Sequence, residues 1–269
     1  MLLILQLDVR WFALATSVDY LIVAVCLLLA YRKYNGPRFG FSVQKAKYLL
    51  KRGAPYILSG MMVAIYAQTD KLMLKQMLDE TAVGYYSTAT TICGMWVFVL
   101  QAIIDSMYPT IMRLNGQDEQ LFKRKNRQLY AIVFYVSIFV SFVFAIFGEL
   151  IVQILYGKAF LPAANPLRII AWYTAFSYLG VARDAWIVSK NKQKYLFYIY
   201  FTAAILNVGL NIVFIPILGT AGAALASLVT QIVTSIIFPL FIKPLRPNAK
   251  LMLEAIFFKD VFNRRNETK

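Results

Sequence analysis

The sequence has no histidine and only two cysteines, Cys26 and Cys93. Those absences exclude a His/Cys zinc constellation, a CxxC redox motif and a Ser-His or Cys-His nucleophile pair. Both cysteines lie in apolar runs, where a free thiol acts as a small hydrophobe. Charge is also scarce: 15% of the 269 residues are charged, against roughly 25% in a soluble domain. With 60% hydrophobic residues and a mean hydropathy of +0.61, too few charges remain to cover a water-facing surface. The start, Met1 to Arg10, lacks a positive n-region and carries Asp8 and Arg10 where a cleavage site would be, so no cleaved targeting peptide is expected. The period-2 alternation of a membrane barrel is missing. Runs such as Ile132-Val133-Phe134-Tyr135-Val136 are apolar on every face, as in a helix.

What remains is an all-α, polytopic membrane helix bundle. A bilayer core about 30 Å thick takes roughly 20 apolar residues per helix. Seven segments qualify, at about 11–31, 54–76, 83–112, 129–148, 168–189, 196–216 and 219–241. The second is interrupted by Gln68, Thr69, Asp70 and Lys71. Acidic residues number 13 against 28 basic ones, for a net charge of +15. Of the basic residues, 22 fall on one side of the spans: seven from Arg32 to Arg52, five from Arg113 to Arg127, three in Lys190, Lys192 and Lys194, and seven from Lys243 to Lys269. The other side has Arg10, Lys75 and Lys158. The positive-inside rule then places the N-terminus outside and the C-terminus in the cytoplasm. The charge reports topology, not nucleic acid, although the same loops also suit anionic lipid headgroups. The longest outward connection, roughly 149–167, is too short for a catalytic domain, so no enzyme and no cofactor are expected.

Ionisable groups inside the spans are the functional candidates, because each is expensive there unless paired or hydrated. Asp70 and Lys71 interrupt the second span, with Ser59, Val63 and Tyr66 on the face of Asp70 at helical spacing. A carboxylate beside an aromatic suits a cation or a sugar hydroxyl; the plainer alternative is two interfacial residues that neutralise each other. In the third span Ser87, Thr91, Gly94, Gln101, Asp105 and Tyr108 make a polar stripe that either lines a wet cavity or bonds to other helices. The fifth span holds Arg183 and Asp184, preceded by Tyr173, Ser177 and Gly180. Neighbours on a helix point about 100° apart, so the two make a poor pair and at least one should reach another helix or a ligand. Guanidinium suits a pyrophosphate. Arg168 reads as an interfacial anchor, and Asp19 as a partner for either arginine. Asn207 and Asn211 form an i, i+4 amide pair, and Gly222 with Ala226 forms a small-xxx-small face for close helix approach. Nothing clusters with metal-ligand spacing.

Gln68-Thr69-Asp70-Lys71-Leu72-Met73-Leu74 followed by Val83-Gly84-Tyr85-Tyr86-Ser87-Thr88-Ala89 resembles the Q-x-D-x-x-x-L … V-G-x-Y-x-x-A stretch of polysaccharide repeat-unit flippases of the O-antigen and capsule type. These belong to the multidrug/oligosaccharidyl-lipid/polysaccharide transporter superfamily. The similarity continues through Ile154-Leu155-Tyr156-Gly157, Asn191-Lys192-Gln193-Lys194, Asn207-Val208-Gly209-Leu210-Asn211 and Ile215-Pro216-Ile217-Leu218-Gly219. The resemblance implies two bundles of about six helices facing each other across a cavity and alternating their access. On that basis 1–35 is the last helix of an otherwise missing N-terminal bundle, 36–246 is the C-terminal six-helix bundle and 247–269 is a basic cytoplasmic tail. The implied activity is translocation of a polyprenyl-diphosphate-linked oligosaccharide across the inner (cytoplasmic) membrane. Arg183 would meet phosphate, and Asp70 and Asp105 would take sugar hydroxyls or a coupling cation. Lys71, Asp184, Asn207 and Asn211 would complete the binding set, with Tyr66, Gln101 and Tyr173 lining the cavity. The partners implied are membrane lipids, polysaccharide-assembly proteins or the missing lobe. A multidrug or peptidoglycan-precursor exporter shares the fold, and a membrane glycan polymerase or ligase is the competing class.

Overall fold

A computed structural model describes residues 9–34 and 40–257, with the side chains of 9–16, 55 and 59 outside the description. The start of the chain, the junction expected at 35/36 and residues 258–269 of the basic tail therefore lie outside the described residues, as does the side chain of Ser59. Among the described residues the structure is helical throughout, with no strand. Two units divide it, Met1–Lys51 and Arg52–Lys269. The first holds α1 (Val9–Lys33), which carries Asp19, and the beginning of α2 (Val43–Met77).

The second unit contains the rest of α2, then α3 (Glu80–Leu114), α4 (Glu119–Tyr156), a 3-10 segment (Lys158–Ala163), α5 (Ala164–Ser189) and α6 (Lys194–Leu218). It ends with α7 (Thr220–Ile232), a π turn (Val233–Ile237), α8 (Phe238–Phe241) and α9 (Arg246–Ile256). Helices stand at all seven expected positions. Among the described residues, four are long and apolar enough to cross a membrane: α3, α4, α6 and the continuous α7–α8 stretch Thr220–Phe241. The outer faces carry the apolar excess, with Phe139 70%, Ile154 72% and Ile217 72% exposed, as lipid-facing positions require.

α5 is less apolar because it is the central helix, packed against α3, α4 and α7. Its neighbours rather than lipid surround it, so small residues such as Ala171, Ala175, Ala182 and Ala185 take the place of leucine and isoleucine. Boundaries have local causes. Asp79 accepts from the Ala82 amide at 2.7 Å to cap α3, and Asp118 accepts from the Leu121 amide at 2.9 Å to cap α4. Gly157 at φ +83° ends α4, and Gly219 at φ +60° turns α6 into α7.

The expected basic tail begins as helix α9, whose Leu251, Met252 and Ala255 are buried with Phe122, Leu129 and Tyr130 of α4. Arg127 pairs with Glu254 at 3.0 Å, and the Asn248 amide donates to the Tyr130 hydroxyl at 2.5 Å, both side chains being buried. Tyr130→Phe leaves that amide without an acceptor, an expected loss of about 1–3 kcal/mol, read as a lower unfolding temperature with earlier proteolysis within α9.

Candidate functional site

Asp70 sits one turn beyond Tyr66 on α2, where a helix passing through apolar surroundings has to satisfy a carboxylate. It does so with four neutral donors. Oδ2 accepts from the Tyr86 hydroxyl of α3 at 2.5 Å and from the Ser227 hydroxyl of α7 at 2.6 Å. Oδ1 accepts from the Asn211 amide at 2.7 Å and the Asn207 amide at 3.0 Å, both on α6. The i, i+4 spacing puts these two amides on one face, and Asn211 Nδ2 also reaches Asn207 Oδ1 at 3.1 Å. Asp70 is 6% exposed and both asparagines are fully buried. The Asn211 Oδ1 oxygen is buried and accepts no hydrogen bond from the described residues.

A cavity of about 270 Å3 opens beside this cluster between α2, α3, α5 and α7. Tyr66, Asp70, Lys71, Tyr86, Tyr173 and Ser227 are among its lining, with Cys93 and Gly94 on the α3 wall. At about 30 Å3 per water it has room for roughly nine waters, enough for a hydrated ion or one sugar ring. Among the described residues no cluster of three or more Cys, Asp and Glu could hold a metal by itself.

The expected residues divide into three groups. Asp70, Lys71, Tyr66 and Tyr173 line this cavity, and Asn207 and Asn211 hold the Asp70 carboxylate without lining the cavity themselves. Asp105 and Gln101 do neither: Gln101 donates to Asp105 at 2.9 Å, and Asp105 is exposed on the outside of α3. The wall of the cavity on α3 is formed by Tyr86, Thr90, Cys93, Gly94 and Val97, so of the expected stripe Gly94 is on it and Ser87, Thr91, Gln101, Asp105 and Tyr108 are not. Arg183 and Asp184 form the third group. They do pair, contrary to the expectation from their 100° separation, because the arginine curls back: Nε at 3.0 Å and Nη2 at 2.8 Å both reach Asp184 Oδ1. The other half of that expectation holds, since Nη1 donates to the Thr234 carbonyl at 2.8 Å and the Tyr200 hydroxyl of α6 donates to Asp184 Oδ2. Arg183 is 2% exposed and turned to protein partners, not to a headgroup. Arg168 bonds the Ala145 carbonyl and Glu149, as an anchor at a helix end does.

Sequence reasoning missed Tyr86 and Ser227 as ligands of the carboxylate, and Tyr200 and Thr234 as partners of the second cluster. Tyr86 was within reach, since it lies in the Val83–Ala89 motif that carries the resemblance.

Residues 6–165, more than half of the chain, match the family model of polysaccharide biosynthesis proteins. The chain belongs to that family. The match covers Asp70 and Tyr86 and stops before Asn207, Asn211 and Ser227. Among solved structures, this polysaccharide biosynthesis protein resembles an outward-facing conformation of a multidrug resistance MATE family transporter of the MOP superfamily. The TM-score is 0.60 at 14% sequence identity, over 71% of this chain and 43% of the transporter. At that identity the likeness is one of fold, and the chain spans less than half the transporter's length. Among curated proteins none matches significantly. Fold and family thus agree on a multi-pass membrane protein of transporter architecture.

Proposed function

We propose that this chain is one lobe of a transporter that moves a lipid-linked oligosaccharide across the cytoplasmic membrane, with Asp70 as its coupling-cation site. The observation that carries the reading is the carboxylate held by four neutral donors at the wall of a cavity too small for an oligosaccharide. A buried carboxylate gains most when a proton or metal cation shares its site, because charge neutralisation removes the desolvation cost. The Ser227 hydroxyl and Asp70 itself, both on the cavity wall, offer hard oxygen ligands of the kind a small monovalent cation takes. The sugar part of the headgroup is assigned instead to the exposed polar face of α3, where Gln101 and Asp105 offer an amide and a carboxylate to sugar hydroxyls, a carboxylate being unsuited to the diphosphate. Lipid would not tolerate that face, whereas a water-filled cleft between two lobes would.

Cys93 lines the Asp70 cavity and gives a native reporter. With Cys26→Ser leaving it the only thiol of the chain, raising sodium in place of choline at constant pH should slow its modification by a small methanethiosulfonate by about tenfold, equivalent to 1.4 kcal/mol. Asp70→Asn should erase that dependence and stop oligosaccharide translocation by the full-length protein. Identical sodium dependence in Asp70→Asn sinks the assignment. Unchanged export of repeat units without this protein favours the multidrug-type alternative.

A further inference from the structure

The helix that supplies Ser227 is not regular. α7 passes into the π turn Val233–Ile237 before α8, and the sequence gives the reason at Pro239. In an unbroken α-helix the Ser235 carbonyl would face residue 239, which here has no N–H and a ring that collides with that carbonyl. Widening the turn by one residue avoids the collision, and the Phe238 amide bonds to Val233 five residues back. The wider turn strands one group. The Thr234 carbonyl would pair five residues on with Pro239, which lacks a donor, and four residues on with Phe238, whose amide is already taken.

Arg183 of α5 fills that gap, Nη1 donating to the Thr234 carbonyl at 2.8 Å. Its other donors are held by Asp184, which Tyr200 of α6 holds in turn. Ser235 Oγ, next along, lies 3.0 Å from the Phe176 carbonyl of α5. Gly180 opposite has little room, since a Cβ there would stand 3.0 Å from Ser235 Oγ. Thr234 and Ser227 are seven residues apart, two turns on one face of one helix. A slip of the π turn by one residue rotates the helix before it by about 100° against the helix after it. Such a slip takes the Ser227 hydroxyl away from Asp70, from which it is now 2.6 Å.

We propose that Arg183 is the positioning residue of the Asp70 site: by holding the Thr234 carbonyl it pins α7 in the register that turns Ser227 onto Asp70. This rests on Asp70 being the working carboxylate. The two ideas separate in a double-mutant cycle read by sodium protection of Cys93 in the full-length protein. Arg183→Gln is expected to shift the half-protecting sodium concentration about tenfold, and Ser227→Ala by a similar factor. Together they should shift it no further than either alone, because both act through one contact. Arg183→Lys, which keeps a donor for the Thr234 carbonyl, should restore most of the wild-type midpoint and serves as the test if Arg183→Gln does not fold. Additive shifts in the double variant, or an unshifted midpoint in Arg183→Gln, overturn the positioning role. Cys93 modification indifferent to sodium in the wild-type protein overturns the Asp70 reading beneath it, a different result from either.

Discussion

Gly222→Val is expected to prevent the bundle from assembling. A Cβ at Gly222 would stand 2.1 Å from the Phe214 carbonyl oxygen and 2.5 Å from its carbon. Ordinary contact begins near 3.4 Å, so the start of α7 would have to retreat from the end of α6 by more than 1 Å. Both atoms are backbone, and no rotamer change relieves the collision. The displacement propagates because the α6–α7 hairpin holds Asn207 and Asn211 on one arm and Ser227 on the other, all converging on Asp70. Overpacking inside a rigid core commonly costs about 1–3 kcal/mol, and forcing backbone from backbone lies at the upper end or beyond. The expected result is loss of a monodisperse peak in fluorescence-detected size exclusion at normal expression temperature. Gly222→Ala should show the same defect in milder form. A Gly222→Val protein that is monodisperse and as heat-stable as wild type would show that α6 and α7 do not approach as described.

Asp70→Ala carries the second largest effect, and it separates structure from function. Removing the carboxylate leaves four buried donors without their acceptor at about 1–3 kcal/mol each, partly offset by waters entering the adjoining cavity. A drop in unfolding temperature accompanied by complete loss of translocation is expected. Asp70→Asn keeps the volume and one acceptor oxygen but sets an NH2 group among donors, so it should be less destabilised yet equally inactive. Asp70→Ala with wild-type stability would mean that the four hydrogen bonds contribute nothing net. Translocation in either variant would remove Asp70 from the mechanism.

The membrane helices were readable because lipid imposes a simple rule on composition, and every expected span has a helix at its position. Their ends were not. Hydropathy places the start of the fourth span near 129, yet α4 begins at Glu119. Its first turns are polar, capped by Asp118 and covered by α9, and hydropathy registers none of that. Asp70, Asn207 and Asn211 stood out as polar groups in apolar runs, and the structure brings all three together. Ser227 did not stand out, because a serine in a membrane helix usually bonds to its own backbone and signals nothing. Asp105 shows another limit: periodicity gives the face of a helix but not what that face meets, and of its stripe Gly94 is on the cavity wall while Asp105 lies outside it. Arg183 was misread by treating a flexible side chain as a rigid spoke.

The 38 residues of α4 make a rod about 57 Å long, nearly twice the thickness of a bilayer core. An unbroken rod of that length acts as a lever. Rocking it by about 10° around its midpoint carries each tip through ~5 Å. The Tyr130 and Arg127 contacts fasten α9 near one tip, so α9 would ride with it. The α5–α6 turn, whose Lys190 pairs with Glu119 at the same tip, would ride with it too, so a distance label on α9 has to be paired with one outside this bundle to report the rocking.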